Sequence, residues 1–197
     1  MSSYETVCQE KCSKVSLSAE QRIKDALLDL MQMTDADKIS AIDLARKAGI
    51  SRATLYRYYS SVDDVLREME DEFLEGMRDC SRYYISAKFD VNRLDKPYPA
   101  FIGITEFIKA HRSFFLVMTG PHGDGRFVYR WHRVTREFYC GKLAYEELTK
   151  KDADVYIEFA MAGNDAMIRY WLEKRPDIPK EEIVPIVQRI LFGPFVC

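Results

Sequence analysis

From residue 18 onward the chain keeps one kind of hydrophobic pattern, with apolar positions three and four apart and polar residues between them. Ile23, Ala26, Leu27 and Leu30 form the first stripe, Ile42 and Ala45 a short second one, and Val65, Met69, Phe73 and Met77 a long third. Such spacing gathers side chains on one face of a 3.6-residue helix. No run alternates apolar and polar residues for long enough to suggest a sheet. Start signals agree. Ser18-Ala-Glu-Gln21, Ser40-Ala-Ile-Asp43 and Ser61-Val-Asp-Asp64 each set a hydroxyl three residues ahead of an acid or amide, the spacing of a capping box.

The pattern predicts helices over 18–32, 40–47, 51–58 and 62–84. After the proline-bearing connection AKFDVNRLDKPYP, further helices are expected over 98–110, 112–119, 125–149, 152–174 and 180–192. GPHGDG at 120–125 and RPDIP at 175–179 break them. Pro179 suits the start of the last helix, and Pro185 inside it predicts a kink. The expected fold class is all-α.

Composition narrows the function class. A chain of 197 residues holds a small head and a larger body. No apolar run reaches the length of a membrane span, and the first seventeen residues lack the apolar stretch of a signal peptide. A soluble, cytoplasmic protein without membrane contact is expected. Five cysteines, at 8, 12, 80, 140 and 197, make no secreted disulfide framework. Cys8 and Cys12 form an isolated C-x3-C, read as two tail thiols.

The net charge of −2 argues against a general polyanion binder, but its distribution is uneven. Residues 38–61 carry Lys38, Arg46, Lys47, Arg52 and Arg57 against Asp43 alone. Residues 62–79 carry eight acids against Arg67 and Arg78. A basic patch beside an acidic body attracts a phosphate backbone at one end only.

That patch surrounds KAGISRATLYRYYSSVDDVL, residues 47–66. Gly49 is expected to take positive φ after a short helix, turning the chain so that Ser51 caps the next one. Ala45 and Ala48 are small enough for two helices to cross closely. Leu44, Ile50, Leu55 and Tyr58 are expected to pack between them and the first helix, with Tyr59 also mainly packing. This is a helix-turn-helix arrangement. It leaves Arg52, Ala53, Thr54, Tyr56 and Arg57 on the outer side of the second helix, whose width fits the major groove of double-stranded DNA. Arg52 suits a bidentate contact to guanine, Thr54 offers a hydroxyl or methyl to a base, and Ala53 permits close approach. Tyr56 and Arg57 suit phosphate oxygens.

Residues 39–66, with the AGIS turn at 48–51 and TLYRYY at 54–59, resemble the N-terminal DNA-binding region of TetR-family transcriptional regulators. The resemblance covers residues 18 to 80. It implies a homodimer, an operator with two related half-sites, a C-terminal effector-binding region, and Ser40 at a helix N-terminus that meets phosphate. Where the family often has lysine at the start of the fourth helix, this chain has Val62 followed by Asp63 and Asp64. One phosphate contact is thereby expected to be missing, so that DNA affinity is either lower or partly supplied by Lys11 and Lys14 of the tail.

The organisation expected is a tail over 1–17, the DNA-binding head over 18–62 and a ligand-binding and dimerisation body over 63–197. The body is rich in aromatic and methionine residues, and a bundle lined by them suits a small apolar or aromatic effector. Phe107, His111, Met118, Phe127, Trp131, Phe159 and Asn164 are the candidate pocket residues. Ala160, Gly163, Ala166 and Met167 on one helix, and Ile183, Val187, Ile190 and Leu191 on the last, form the expected face between two copies.

No phosphate loop, dinucleotide fingerprint, nucleophile elbow or zinc-protease motif occurs. His111, His122 and His132 lie 11 and 10 residues apart with His122 on a glycine-rich loop, so a metal triad is geometrically possible, but no metal site is expected. Neither an enzyme nor a cofactor protein is expected. The function read from the sequence is a sequence-specific regulator, a repressor released from a palindromic operator by an effector. The alternatives are an activator using the same head, or a protein-binding helical module without an inducer.

Overall fold

The computed structural model of the chain describes residues 18–84, 95–142 and 150–192. Cys8, Lys11, Cys12, Lys14 and the stretch 143–149 lie outside them. Nine α-helices and one 3-10 turn, with no strand, make up the described residues. They are α1 (Ala19–Met31), α2 (Ala41–Lys47), α3 (Arg52–Tyr58), α4 (Val62–Tyr84), α5 (Pro99–Ala110), α6 (Arg112–Met118), α7 (Gly125–Lys142), α8 (Lys150–Lys174) and α9 (Lys180–Phe192), with the 3-10 turn at Ala36–Lys38.

Local chemistry sets the boundaries. The hydroxyls of Ser18, Ser40, Ser51 and Ser61 accept the amides of Gln21, Asp43, Thr54 and Asp64 at 3.0–3.1 Å, capping the first four helices. α2 ends in a Schellman turn: the Ile50 amide donates to the Ala45 carbonyl at 3.0 Å and the Gly49 amide to the Arg46 carbonyl at 3.2 Å. Gly49 closes it at φ 65°, the only positive φ among the described residues. Pro99 opens α5, where its missing N–H is no loss. Pro179 precedes α9, its carbonyl accepting the Ile183 amide, and α9 continues through Pro185.

α1, α2 and α3 form a head on the N-terminal half of α4, and α5 to α9 form the body around the rest of it. One apolar core runs through both, from Ile23, Leu27, Leu44 and Leu55 to Phe73, Phe115, Trp131 and Trp171. α4 therefore belongs to both parts, with Val65, Met69, Phe73 and Met77 all buried. At Gly76 an added Cβ would lie 2.5 Å from the Phe107 ring, so the bare backbone lets α4 and α5 approach closely.

Two inward assignments are corrected by the helix phase. Ile42 is exposed, because α2 turns Leu44, Ala45 and the following Ala48 inward instead. Tyr58 is 43 % exposed while Tyr59 is 6 % exposed. Both lie within a turn of buried Leu55, but the chain leaves the helix at Tyr59 in an extended conformation (φ −137°, ψ 136°). That step drops Tyr59 into the core, where its hydroxyl donates to Glu68 Oε1 at 2.9 Å, and leaves Tyr58 outside.

Buried Lys24 fastens α1 to α4 through ion pairs to Glu68 and Glu72, at 2.8 and 2.7 Å. Burial would lower the Lys24 pKa, but its hydrogen bonds to those two carboxylates outweigh it and hold the ammonium above its ordinary value.

α8 carries apolar residues on two opposite sides, separated by a polar arc of Glu158, Asp165, Arg169 and Glu173. Ile157, Ala160, Met161, Ile168, Trp171 and Leu172 face the core, whereas Val155, Phe159, Gly163, Ala166 and Tyr170 are exposed on the opposite side. On α9, Ile183 and Val187 turn into the chain's own core, correcting their placement on an outer face, and Ile186 and Ile190 are exposed instead. The apolar arc of α9 is wide enough for one edge to fill the core and the other to remain outside. Ala160 is likewise internal, and the Leu191 side chain lies outside the described ones.

Candidate nucleic-acid interface

Of the seven residues singled out in the head, Ser51 is the N-cap of α3, Arg52, Ala53, Thr54, Tyr56 and Arg57 lie on that helix, and Ser40 caps α2. Ser40, Ser51, Arg52, Ala53, Tyr56 and Arg57 are exposed, and Thr54 is half-buried. Two of the hydroxyls are already engaged in local structure. Ser40 Oγ caps α2 and donates to Asp43 Oδ2 at 2.6 Å, and Ser51 Oγ caps α3 and lies 2.9 Å from Thr54 Oγ1. These bonds fix the N-termini of both short helices, whose free amides and dipoles favour a phosphate.

Ion pairing sorts the cations of the head. Lys38 is bound to Asp35, Arg46 to Asp43, Lys47 to Asp29 and Lys24 to Glu68 and Glu72. Arg52 and Arg57 on α3, like Arg22 on α1, make no ion pair among the described residues. Each lies against a tyrosine: the Arg52 guanidinium is 5.8 Å from the Tyr56 ring centroid, and that of Arg57 is 5.1 Å from Tyr58. The outer side of α3 thus presents two unneutralised arginines steadied by two exposed aromatic rings. Tyr58 was missed in the sequence because its spacing from Leu55 reads equally well as core.

The acids that open α4 do not oppose this face as bare charges. Arg67 pairs with Asp63 at 2.7 Å and with Asp64 at 3.1 Å, and Arg126 from the body reaches Asp63 at 2.9 Å. The Arg126 hydrogen bond holds the Asp63 carboxyl below its ordinary range. Arg126 also clasps Asp124 at 2.7 Å, and the ring of His122 lies 2.7 Å from Asp35. The GPHGDG loop therefore touches the head through His122, and the first turn of α7 reaches the start of α4 through Arg126. One turn along α7, Arg130 binds Glu70 at 2.8 Å and also Asp71, tying α7 to α4.

In the body, three of the seven candidate pocket residues, Met118, Phe127 and Trp131, are buried core, Phe107 and Asn164 are half-buried, and His111 and Phe159 are exposed. Phe73 lies at the centre of an aromatic cluster, with ring centroids of Phe107, His111, Phe127 and Trp131 5.2, 5.9, 5.7 and 5.9 Å away. Met118 is fully buried, and Phe159 is 68 % exposed. Below this cluster lies a narrow apolar cavity of about 40 Å³ bounded by α4, α5, α7, α8 and α9. Trp131 and Asn164 line it; Phe107, His111, Met118, Phe127 and Phe159 do not. Met77, Phe101, Met167 and Trp171 are wall residues that the sequence reading did not assign to a pocket. Their only signal was helical spacing, which core residues share.

Among the described residues, one group of three acids is close enough to hold a metal ion: Glu20, Glu68 and Glu72. The Lys24 ammonium lies against all three, so a cation already occupies their centre. No described helix is long and apolar enough to cross a membrane.

Comparison with known proteins agrees with this architecture. A family model described as "Bacterial regulatory proteins, tetR family" matches residues 23–69, and a TetR C-terminal model described as "Transcriptional regulator C-terminal region" matches residues 95–193. The chain is 29 % identical over 165 residues to the Bacillus subtilis "Uncharacterized HTH-type transcriptional regulator YxbF", a match covering 80 % of this chain and 40 % of that protein. It is 35 % identical over 72 residues to the Lactococcus lactis "HTH-type dhaKLM operon transcriptional activator DhaS", covering 36 % of this chain and 38 % of that one. The matches thus span about two fifths of the length of these curated relatives.

Among solved structures, a TetR-like transcriptional regulator from Rhodococcus sp. RHA1 aligns at a TM-score of 0.63 and 17 % identity, covering 92 % of this chain and 98 % of that one. The fatty acid degradation regulator FadR from Bacillus halodurans aligns at 0.62 and 16 %, covering 93 % and 99 %. With a head and a body that each match their own part of one family, the chain belongs to the TetR family of bacterial transcriptional regulators.

Proposed function

We propose that the chain acts in the cytoplasm as a homodimer on a palindromic DNA operator, and that it represses transcription until a small molecule taken up by the body releases it. The observation that carries the DNA reading is the outer side of α3, where Arg52 and Arg57 stand unpaired while the neighbouring cations are neutralised. In this reading the N-terminal end of α3 meets base edges, with Arg52 toward guanine and Ala53 and Thr54 beside it. Tyr56, Arg57 and Tyr58 lie along phosphates, together with the N-terminus of α2 at Ser40 and that of α3 at Ser51.

The exposed apolar side of α8, with Ile186 and Ile190 of α9, supports a four-helix interface between two copies. Gly163 at its middle has open space around it, so a partner helix can approach closely there. Two such heads would reach successive major grooves, about 34 Å apart. A ligand larger than the cavity must move its walls. These include α4, which carries the head, and α7, which holds α4 through Arg126 and Arg130. Tenfold release of DNA needs only about 1.4 kcal/mol of such coupling.

The test is capture of fragmented genomic DNA by the purified protein, with sequencing of what is retained. Recovery of one inverted repeat supports the reading; recovery equal to that of an Arg52→Ala, Arg57→Ala control contradicts it. An activator is the second reading, favoured by the similarity of 72 residues of the chain to DhaS, which is described as an activator. The position of the recovered repeat separates the two: over the promoter for a repressor, upstream of it for an activator.

A further inference from the structure

Resting on the reading that the body cavity is the effector site, we propose that the effector is an uncharged molecule. It would be held by apolar contact and oriented by one hydrogen-bonding group beside Asn164 and Thr105. Among the described residues, no Asp, Glu, Lys, Arg or His side chain lines the cavity. Charged side chains next to wall residues, or on the helices that form the wall, are engaged elsewhere: Glu106, beside Thr105, pairs with Lys180. Asp165, next to Asn164 on α8, accepts the Trp131 indole N–H at 2.9 Å through one oxygen and pairs with His132 Nε2 at 2.5 Å through the other. Arg169 donates to the Leu116 carbonyl and to Thr119 Oγ1, and Arg112 Nε donates to the Leu172 carbonyl. The Lys109 ammonium sits 5.5 Å from the centroid of the Trp171 ring.

Hydrogen-bonding capacity at the wall is nearly used up in the same way. The Trp171 indole N–H donates to the Ile178 carbonyl at 2.9 Å, and the Thr135 hydroxyl to the Trp131 carbonyl at 3.0 Å. The Asn164 carboxamide and the Thr105 hydroxyl, also on the wall, make no hydrogen bond among the described residues. A carboxylate or ammonium placed here would lose its hydration and meet no counter-charge. An ammonium would in addition share the Trp171 ring with Lys109. A single hydroxyl, carbonyl or amide on an apolar frame would lose one hydrogen bond to water and regain it from Asn164 or Thr105. Met77 and Met167 form the adjustable part of the wall, since unbranched thioether chains re-pack around a guest.

The chain's two tryptophans both line this cavity, so occupancy reads directly in their emission. Four probes of one shape that do not absorb there are titrated into the full chain: cyclohexanol, methylcyclohexane, cyclohexanecarboxylate and cyclohexylammonium. The expected result is saturable binding of cyclohexanol, tighter than either ion by at least roughly thirtyfold. Asn164→Leu should narrow the preference for cyclohexanol over methylcyclohexane by about tenfold. Met167→Ala, which enlarges the cavity, should tighten both neutral probes, and Val184→Phe, which fills it, should abolish their binding.

Binding of either ion within threefold of the alcohol overturns the proposal. So does the absence of saturable binding in both the wild type and Met167→Ala, and so does binding that survives Val184→Phe. Operator release is scored separately. A neutral probe that binds without releasing DNA overturns the effector reading itself, whereas an ion that binds and releases DNA overturns only the charge assignment.

Discussion

Lys47 of α2, Arg57 of α3 and His132 of the body illustrate how a partner decides what a charged side chain does. Lys47 and Arg57 lie ten positions apart in the same basic stretch, but Lys47 is held by Asp29 at 2.9 Å, whereas Arg57 lies against the Tyr58 ring and meets no carboxylate among the described residues. Neutralising a phosphate releases counterions, so a contacting cation contributes to the salt dependence of binding. Arg57→Ala should therefore weaken binding to all DNA sequences and lower the salt slope by about 1, and Lys47→Ala should leave the slope unchanged; titrations from low to moderate salt measure both. In the body, the hydrogen bond to Asp165 raises the His132 pKa above its ordinary value. The protonated form is then favoured by the fold. Its contribution to stability is complete below about pH 6.5 and disappears as pH rises through the folded-state value. Melting temperatures followed from pH 5 to 9 should show that loss, and His132→Gln should flatten it.

At the scale of elements, the turn between α2 and α3 makes the sharpest demand on one residue. Gly49 sits at φ 65° with nothing within 4 Å of where a Cβ would be, so substitution there meets backbone strain and no collision. Gly49→Ala should cost about 1–2 kcal/mol in denaturant unfolding, and Gly125→Ala, which also meets open space but has no positive φ, should cost less. Short-range rules of this kind made the helices legible. Serine caps, Gly49 and the prolines all act within a few residues, and the expected boundaries lie within two residues of those observed wherever both are described. Side-chain direction was legible only where one phase fitted. Tyr58 and Tyr59 both fit the inward spacing from Leu55, and the exit of the chain at Tyr59 chose between them. Aromatic spacing in the body could not separate Phe127, locked in the cluster around Phe73, from Trp131, which touches both cluster and cavity, or from Phe159, which faces outward. That distinction depends on which face each helix gives its neighbours, and these faces are set by packing across the whole bundle.

The whole molecule joins these parts through α4, α7 and the outer side of α8. Because Gly163 has open space around it within one chain, Gly163→Leu leaves the fold of a single chain undisturbed while obstructing a partner helix. Sedimentation should show monomers for this variant, with operator affinity lowered at least about a hundredfold because two half-sites no longer bind as one. The measurement that tests the account most directly is binding of the wild type and Arg52→Ala to the captured operator and to a scrambled duplex at fixed salt. The account predicts that the wild type prefers the operator strongly, and that Arg52→Ala gives up about 1–3 kcal/mol of that preference while still binding both duplexes through phosphate contacts. An Arg52→Ala protein that keeps the full preference would show that α3 does not read the bases through this arginine.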